Sequence, residues 1–201
     1  MDNIILYEYE GNRNLYVNLT NACTNRCKFC IRDYDVMDKD LWLEHQPTFD
    51  DFKAEIDKKD LSGYNEIIFC GYGEPMLNYE TLIKAAEYLR KITDMPVRLN
   101  TNGQANLFLK RDVTPEMKGL FDTVSISLNA GSRESYNKLC LPADEENAFD
   151  AVIDFTNKVK MVVPHVVMSV VDTFIDEAEI EKCRKIAQGI GVEFRVRKFE
   201  S

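Results

Sequence analysis

This 201-residue sequence has only two histidines, no long apolar run and fewer basic than acidic residues. Lys and Arg total 25 against 34 Asp and Glu, and the resulting net charge of -9 at pH 7 would repel a nucleic-acid backbone. No segment approaches the roughly 20 uninterrupted apolar residues that span a bilayer, and the start, Met-Asp-Asn, lacks the features of an export signal. These absences predict a cytoplasmic protein that binds neither nucleic acid nor membrane.

The composition and the pattern of apolar residues predict one α/β domain over residues 1–201. A hydrophobic content of 45% is sufficient for a packed core, and no low-complexity tract or linker divides the chain. Apolar, β-branched runs alternate with amphipathic ones, as in successive β-α units. The six predicted strands are Leu15–Thr20, Glu66–Cys70, Val97–Thr101, Thr123–Asn129, Val166–Asp172 and Val192–Arg197.

Amphipathic segments between these strands predict the helices. The clearest spans Glu145–Lys160, where one apolar stripe carries Ala148, Val152, Phe155 and Val159. The capping signals predict where other helices begin and end: Thr48 with Asp51 resembles a capping box, Asn78 and Asp176 are candidate N-caps, and Gly189 is a candidate helix end.

Three of the six cysteines crowd into eight residues, and this crowding is the main anomaly of the sequence. A chain of this size without an export signal is expected to keep reduced thiols rather than disulfides. The crowded group is Cys23, Cys27 and Cys30, whereas the scattered group is Cys70, Cys140 and Cys183. The two groups are therefore expected to have different roles.

The spacing of the crowded cysteines favours an iron-sulfur cluster over zinc. Three thiolates in a C-x3-C-x2-C loop can hold three corners of a cubane and leave one iron without a protein ligand. Zinc sites normally pair cysteines as C-x2-C or combine them with histidines, and His45 and His165 lie in no such motif. We therefore predict a [4Fe-4S] cluster on Cys23, Cys27 and Cys30, with zinc and unliganded core thiols as the alternatives.

Polar residues gather where the predicted strands end. Consecutive β-α units with right-handed crossovers predict a parallel sheet, and ligands of such sheets bind at the carboxyl ends of the strands. The periodicity does not decide between an open sheet and a barrel. The segments expected to share this end are Cys23, Gly71–Pro75, Asn100–Gly103, Ser127–Asn129 and Ser169–Asp172.

The cysteine loop resembles the signature loop of the radical S-adenosylmethionine (SAM) superfamily, and further motifs follow in the matching order. More narrowly, the sequence resembles the TatD-linked radical SAM proteins, small proteins named for a neighbouring TatD-type hydrolase. The segments that carry this closer resemblance are FCGYGEP at 69–75, RLNTNG at 98–103, SISLNA at 125–130 and YNKLCLP at 136–142.

This resemblance implies a fold, two cofactors and a reaction. The fold is α/β, with six parallel β-α units that form a partial (β/α)6 TIM-like barrel. The cofactors are an oxygen-sensitive [4Fe-4S] cluster and SAM, which chelates the open iron through its amino and carboxylate groups. Reductive cleavage of SAM would give a 5'-deoxyadenosyl radical that abstracts hydrogen from an unidentified substrate, either a small molecule or another protein.

The resemblance also implies residues that contact SAM. A Gly-Gly-Glu-Pro turn of the superfamily binds the SAM amino group, and the segment here is similar except that Tyr72 replaces the first glycine. Ser127 and Asn129 alternate with apolar neighbours and are expected to point the same way. The candidates for cofactor binding are Phe29, Gly71, Gly73, Glu74, Asn100, Asn102, Ser127, Asn129 and Ser169, with Arg195 or Arg197 as a partner for the carboxylate. Ordinary turn, packing and buried hydrogen-bonding roles are the alternatives for each.

No catalytic residue is identified by the sequence. Cys70 and Cys140 are candidates for donating a hydrogen atom or binding a substrate or second metal, and a buried apolar role is the default for both. Cys183 lies on the apolar stripe of the last predicted helix and is expected in the core.

The resemblance implies partners as well. A flavodoxin- or ferredoxin-like electron donor is expected, for which Lys28 and Arg32 beside the cluster loop would supply local positive charge. A functional link to a TatD-type hydrolase is also implied. The main alternative function is an iron-sulfur electron-transfer or redox-sensing module without SAM chemistry.

Overall fold

A seven-stranded, mostly parallel sheet organises the protein. The structure, a computed structural model, describes residues 3–34 and 41–199. Strand order in the sheet follows chain order; the first strand is antiparallel to the second, and the other six are parallel. The strands are β1 (Leu6–Tyr7), β2 (Asn14–Val17), β3 (Glu66–Phe69), β4 (Val97–Thr101), β5 (Thr123–Ser127), β6 (His165–Val171) and β7 (Glu193–Arg197). The predicted α/β class is confirmed.

The described helices connect the parallel strands. Each crossover moves one strand further in the same direction, so right-handed connections place the helices on one face of the sheet. The helices are α1 (Phe49–Ile56), α2 (Tyr79–Ile92), α3 (Ala105–Leu109), α4 (Arg133–Cys140), α5 (Ala148–Val159) and α6 (Glu177–Ile190). Across residues 3–34 and 41–199, none of the helices has the length and apolarity needed to cross a membrane.

The six predicted strands correspond to β2–β7, and the differences lie at their ends. The strand predicted to continue to Asn129 ends at Ser127, because the backbone of Asn129 is left-handed, with φ of 59°. β1 was not predicted, since a strand of two residues has no measurable apolar alternation. The carboxyl ends of the strands are nevertheless close to where the sequence placed them.

The capping predictions were partly correct. Thr48 and Asp51 form the predicted capping box at α1, and the Asp176 side chain accepts a hydrogen bond from the Glu179 amide at the start of α6. Asn78 precedes α2, but its side-chain amide donates to backbone carbonyls of neighbouring loops instead of capping the helix. The prediction that Gly189 ends the last helix is wrong, because α6 continues to Ile190.

The two faces of the sheet differ in chemistry. Alternate residues such as Leu15, Ile67 and Leu99 are fully buried and form one hydrophobic core with the helices. On the opposite face, Arg98 donates from Nε to Glu66 Oε1 of the neighbouring strand at 3.0 Å. Apolar packing is therefore concentrated on the helix side of the sheet. Polar groups line the opposite face towards the ends of the strands.

Candidate functional site

A cavity of about 250 Å³ lies at the carboxyl end of the sheet. Its walls come from the loop after β2, the ends of β3, β4 and β5, and the residues around the end of β7. The sequence-predicted site residues that line it are Cys23, Cys27, Phe29, Cys30, Cys70, Gly71, Gly73, Glu74, Asn100, Asn102, Ser127, Asn129 and Arg197. Arg195, the other candidate partner for a carboxylate, is not part of this lining. Ser169 and Cys140 lie behind it. The fold thus brings together side chains that are as far apart as residues 23 and 197.

The cysteine loop is attached to the end of α4 through its backbone. The Arg26 amide donates to the Cys140 carbonyl and the Lys28 amide to the Leu139 carbonyl, both at 3.0 Å. These bonds satisfy carbonyls that a helix leaves without partners at its last turn. The loop is therefore positioned by a helix more than one hundred residues further along the chain.

A buried hydrogen-bond network also holds the cysteine loop in place. Asn25 Nδ2 and Gln104 Nε2 both donate to the Tyr136 hydroxyl, at 3.0 and 2.9 Å, and Gln104 Nε2 also donates to Asn25 Oδ1 at 2.8 Å. These three side chains link the cysteine loop, the segment after β4 and helix α4. Sequence reasoning did not identify Asn25 or Gln104, although Asn25 lies within the cysteine motif and Gln104 directly follows the segment that ends at Gly103.

The three thiols of the cysteine loop have different electrostatic surroundings. Burial and, secondarily, the Glu74 carboxylate raise the pKa of Cys23 to about 12. Burial also raises the pKa of Cys30, whereas a hydrogen bond from the Cys140 thiol lowers the pKa of Cys27. Metal binding replaces the thiol proton, so these values describe the protein before any metal is bound.

The described residues contain no group of three or more His, Cys, Asp or Glu side chains close enough to hold a single metal ion. A cubane binds its thiolates on different iron atoms, which spreads the ligands over a larger volume. The donor set that fits this cavity is three soft thiols on one loop, and such ligands suit iron-sulfur clusters.

The Gly71–Pro75 turn packs directly against the cysteine loop. A Cβ atom on Gly73 would lie 2.3 Å from the Thr20 carbonyl oxygen and 2.5 Å from that of Ala22. Only glycine permits this approach. Tyr72, which stands in place of the first glycine of the motif that this turn resembles, lines the cavity and places its ring 5.8 Å from that of Trp42.

Glu74 connects this turn to the end of β4. Its carboxylate accepts hydrogen bonds from the Thr101 hydroxyl at 2.7 Å, the Asn102 amide at 2.6 Å and the Met76 amide at 3.1 Å. Burial raises the pKa of Glu74 to about 7, against the opposing effect of these donors. The residue therefore has a structural role in addition to facing the cavity.

Several buried polar atoms near the cavity have no partner in the protein. Asn100 Oδ1, Asn129 Oδ1 and Ser169 Oγ make no hydrogen bond, although the Asn129 and Ser169 side chains are almost fully buried. Unpaired buried polar atoms are costly, so each indicates a site for a polar ligand or water. Asn102 differs, because its Nδ2 donates to Thr24 Oγ1 at 2.8 Å and so supports the cysteine loop.

The remaining candidates have mixed surroundings. Phe29 lines the cavity and also packs 5.7 Å from the Phe174 ring, so it belongs to both the site and the core. Cys70 lines the cavity, and burial raises the pKa of its thiol. Cys140 contacts Cys27 from behind, and Cys183 is buried in the core as predicted.

Comparison with known protein families identifies one that matches most of the chain. The family model described as the radical SAM superfamily matches residues 17–187. No curated protein matches the sequence.

Solved structures share the fold at low sequence identity. SuiB from Streptococcus suis, bound to the precursor peptide SuiA, aligns with a TM-score of 0.72 and 15% identity over 94% of this chain and 39% of SuiB. Methylornithine synthase (PylB) aligns with a TM-score of 0.65 and 15% identity over 95% of this chain and 55% of that one. The structure of anSMEcpe with bound AdoMet aligns with a TM-score of 0.62 and 17% identity, over 92% and 50% of the two chains.

The present chain thus spans between 39% and 55% of the length of these three proteins. Because the family match covers most of the chain, the protein belongs to the radical SAM superfamily, whose enzymes use a [4Fe-4S] cluster and SAM.

Proposed function

We propose that this radical SAM enzyme binds its [4Fe-4S] cluster through Cys23, Cys27 and Cys30 and cleaves SAM reductively. The observation that carries the proposal is the meeting of three thiols and unpaired buried polar atoms at one cavity. When bound, the two cofactors supply a 5'-deoxyadenosyl radical that abstracts hydrogen from a substrate. A small molecule and another protein are the two candidate substrate classes.

Polar side chains at the strand ends are proposed to bind SAM. Asn100, Asn129 and Ser169 offer atoms without protein partners, which suits the carboxylate and hydroxyl groups of such a ligand. Glu74 faces the cavity with a carboxylate that a cationic amino group would help to keep ionised. Gly71, Gly73, Asn102, Ser127 and Phe29 complete the proposed cofactor wall.

We further propose that the six parallel strands curve into a partial (β/α)6 barrel around this site. The sequential strand order supports this proposal, because it places the helices on one face of the sheet. The opposite face has no helices to cover it, and curvature of the sheet would enclose it. Membership of the TatD-linked group, sensitivity to oxygen and a functional link to a TatD-type hydrolase are proposals that follow from the sequence motifs.

Electrons are proposed to come from a flavodoxin- or ferredoxin-like donor. Of the two predicted cations, Lys28 is exposed, whereas the Arg32 side chain is only 16% exposed and its Nε lies 3.9 Å from Asp33 Oδ1. Arg26, which was not predicted, is also exposed on the cysteine loop, in a protein whose net charge is -9. Local positive charge beside the cluster would favour an acidic donor.

Anaerobic reconstitution with iron and sulfide, followed by reduction and detection of 5'-deoxyadenosine from SAM, tests the proposal. We expect the wild-type protein to bind iron and release 5'-deoxyadenosine. Cys27→Ala should lose the cluster and the product together, because two thiolates do not hold the cubane. Cys183→Ala, which changes a buried cysteine of α6, is the matched control and should keep both.

Two outcomes would contradict the proposal. Retention of cluster and product by Cys27→Ala would remove the assigned ligands. A bound cluster that never yields 5'-deoxyadenosine would instead favour the electron-transfer or redox-sensing alternative.

A further inference from the structure

Cys140 is a buried thiol to which the proposed SAM chemistry gives no role. It is the last residue of α4, it is fully buried, and it is not part of the cavity lining. A substrate or SAM molecule in the cavity would therefore not reach its sulfur. Burial by itself makes a cysteine an ordinary core residue, so any further role depends on what the sulfur contacts.

The backbone holds Cys140 beside the cysteine loop. Its carbonyl accepts a hydrogen bond from the Arg26 amide at 3.0 Å, and the Leu139 carbonyl accepts one from the Lys28 amide at the same distance. Cys27 lies between these two donors in the chain, and its sulfur accepts a hydrogen bond from the Cys140 thiol. The end of α4 thus presents an S–H group to one of the three proposed cluster ligands.

Asn129 fixes the same thiol through a second hydrogen bond. Its Nδ2 donates to Cys140 Sγ at 3.8 Å. The backbone of Asn129 is left-handed, with φ of 59°, and its amide donates to the Ser169 carbonyl of β6 at 3.2 Å. Because the Cys140 sulfur accepts this bond from Asn129, its own S–H remains available to donate to Cys27.

Amide groups also donate to the thiols of the cysteine loop. Cys23 Sγ accepts from the Asn25 backbone amide at 3.4 Å and from Asn102 Nδ2 at 3.8 Å, and the Asn25 side chain donates to Cys27. The Cys140 donor differs from these because its S–H can be exchanged for O–H by changing a single atom. Substitution of Cys140 therefore isolates one hydrogen bond without altering the loop itself.

We propose that the Cys140 thiol, held by Asn129, donates a hydrogen bond to the cluster ligand Cys27 and so raises the reduction potential of the [4Fe-4S] cluster. This inference rests on the proposed function and identifies a residue that acts on the cluster through one of its ligands. One-electron reduction adds negative charge to the cluster and its thiolates, and a donor to a thiolate stabilises that charge. The electron goes to the cluster, the Cys140 thiol keeps its proton, and no bond is broken.

Redox titration of the reconstituted cluster without SAM, followed by electron paramagnetic resonance, tests the role of the thiol. Cys140→Ala removes the donor, and we expect the reduction equilibrium to become about tenfold less favourable, which is about 59 mV for one electron. Cys140→Ser keeps a donor and should stay close to the wild-type potential. Cys183→Ala removes the buried thiol of α6 and, as the matched control, should leave the potential unchanged. Iron and sulfide analysis confirms that each protein carries a full cluster.

The role of Asn129 is tested in the same titration. Asn129→Gly suits the left-handed backbone and removes the side-chain amide, so we expect a smaller fall in potential. In the double variant with Cys140→Ala, the change at Asn129 should lower the potential no further, because both residues act through one thiol. Omitting SAM keeps the proposed contact between Asn129 and SAM out of the measurement.

Three results would overturn the inference: equal potentials of the wild-type protein and Cys140→Ala, an equal fall in Cys140→Ser and Cys140→Ala, or additive effects of the substitutions at positions 129 and 140. Loss of the cluster from Cys140→Ala, with retention by Cys183→Ala, would also overturn it, because the thiol would then be needed to hold the cluster. A protein that forms 5'-deoxyadenosine but whose potential is unaffected by Cys140→Ala disproves only the inference about Cys140. A protein that binds no iron-sulfur cluster disproves the proposed function.

Discussion

Glu74 illustrates how a single buried side chain can combine support and chemistry. Its two oxygens hold the Gly71–Pro75 turn against the end of β4, and it faces the same cavity as the cysteines. Burial removes water from the carboxylate and so disfavours its charged form, which raises the pKa. The three hydrogen-bond donors favour the charged form and offset only part of this effect. A change in charge near Glu74 should therefore shift the pKa of its carboxylate.

The titration of Glu74 predicts a pH-dependent stability in the protein without cofactors. Because burial raises its pKa from 4.5 to about 7, the proton is bound more tightly in the folded state, and this stabilisation is complete below pH 4.5 and lost as the pH rises through 7. Relative to Glu74→Gln, the wild-type protein should lose on the order of 3 kcal/mol over that interval. Urea unfolding of both proteins at pH 5 and pH 8 measures most of this change. If the free energies of unfolding of the two proteins differ by the same amount at both pH values, Glu74 does not titrate between them.

Tyr136 should stabilise the cysteine loop through its hydroxyl. Tyr136→Phe leaves the Asn25 and Gln104 amides without their shared acceptor in a buried site, so we expect a loss of about 1–3 kcal/mol in the free energy of unfolding. Visible absorbance should also show faster cluster loss in air. Tyr88→Phe removes a hydroxyl whose bond to Asp57 is exposed, and it should change stability by less than about 0.5 kcal/mol. Equal effects of the two variants would argue against a role for the buried network.

At the scale of elements, the cysteine loop and the turn after β3 behave as one unit. The Gly73 backbone lies against the Thr20 and Ala22 carbonyls, and the Glu74 amide donates to the Ala22 carbonyl at 2.8 Å. The thiols therefore depend on the position of the turn, in addition to the loop that carries them.

Gly73→Ala should displace this pair of segments. The added methyl group meets backbone atoms that have little room to move, so we expect a loss of about 1–3 kcal/mol and reduced iron binding after reconstitution. Gly189→Ala is the matched control, because its methyl group enters open space within helix α6 and should stabilise by about 0.5–1 kcal/mol. Thermal unfolding and iron analysis test both variants. Normal iron binding by Gly73→Ala would show that the thiols do not depend on the position of the turn.

The elements differ in how far sequence could predict them. α5 was predictable because Ala148, Val152, Phe155 and Val159 repeat at helical spacing, and all four are buried. The cysteine motif was predictable because its spacing is local. The Asn25–Gln104–Tyr136 network was not, since its hydrogen bonds join residues that meet only after three separate elements pack together.

At the scale of the whole molecule, the core and the site are largely separate. The main hydrophobic core lies between the sheet and the helices, while the cavity lies beyond the ends of the strands. Phe29 is one of the few residues that belong to both. Folding of the sheet should therefore depend little on the cofactors.

Hydrogen exchange with and without the reconstituted cluster tests this separation. We expect cluster binding to slow exchange in the segments that form or support the site, namely residues 21–34, 71–78, 100–104 and 129–143. The amides of α2 and β4 should exchange equally in both forms. Slower exchange throughout the sheet would instead mean that the cluster is required for the fold as a whole.

The helix side of the sheet and the carboxyl ends of its strands place different limits on how the sequence can diverge. On the helix side, apolar residues of similar volume can replace one another at small cost, so drift there leaves the reaction untouched. At the strand ends, exchange of a few polar side chains alters what is bound while the core stays intact. A lineage built on this sheet can therefore acquire new substrates without having to evolve a new scaffold.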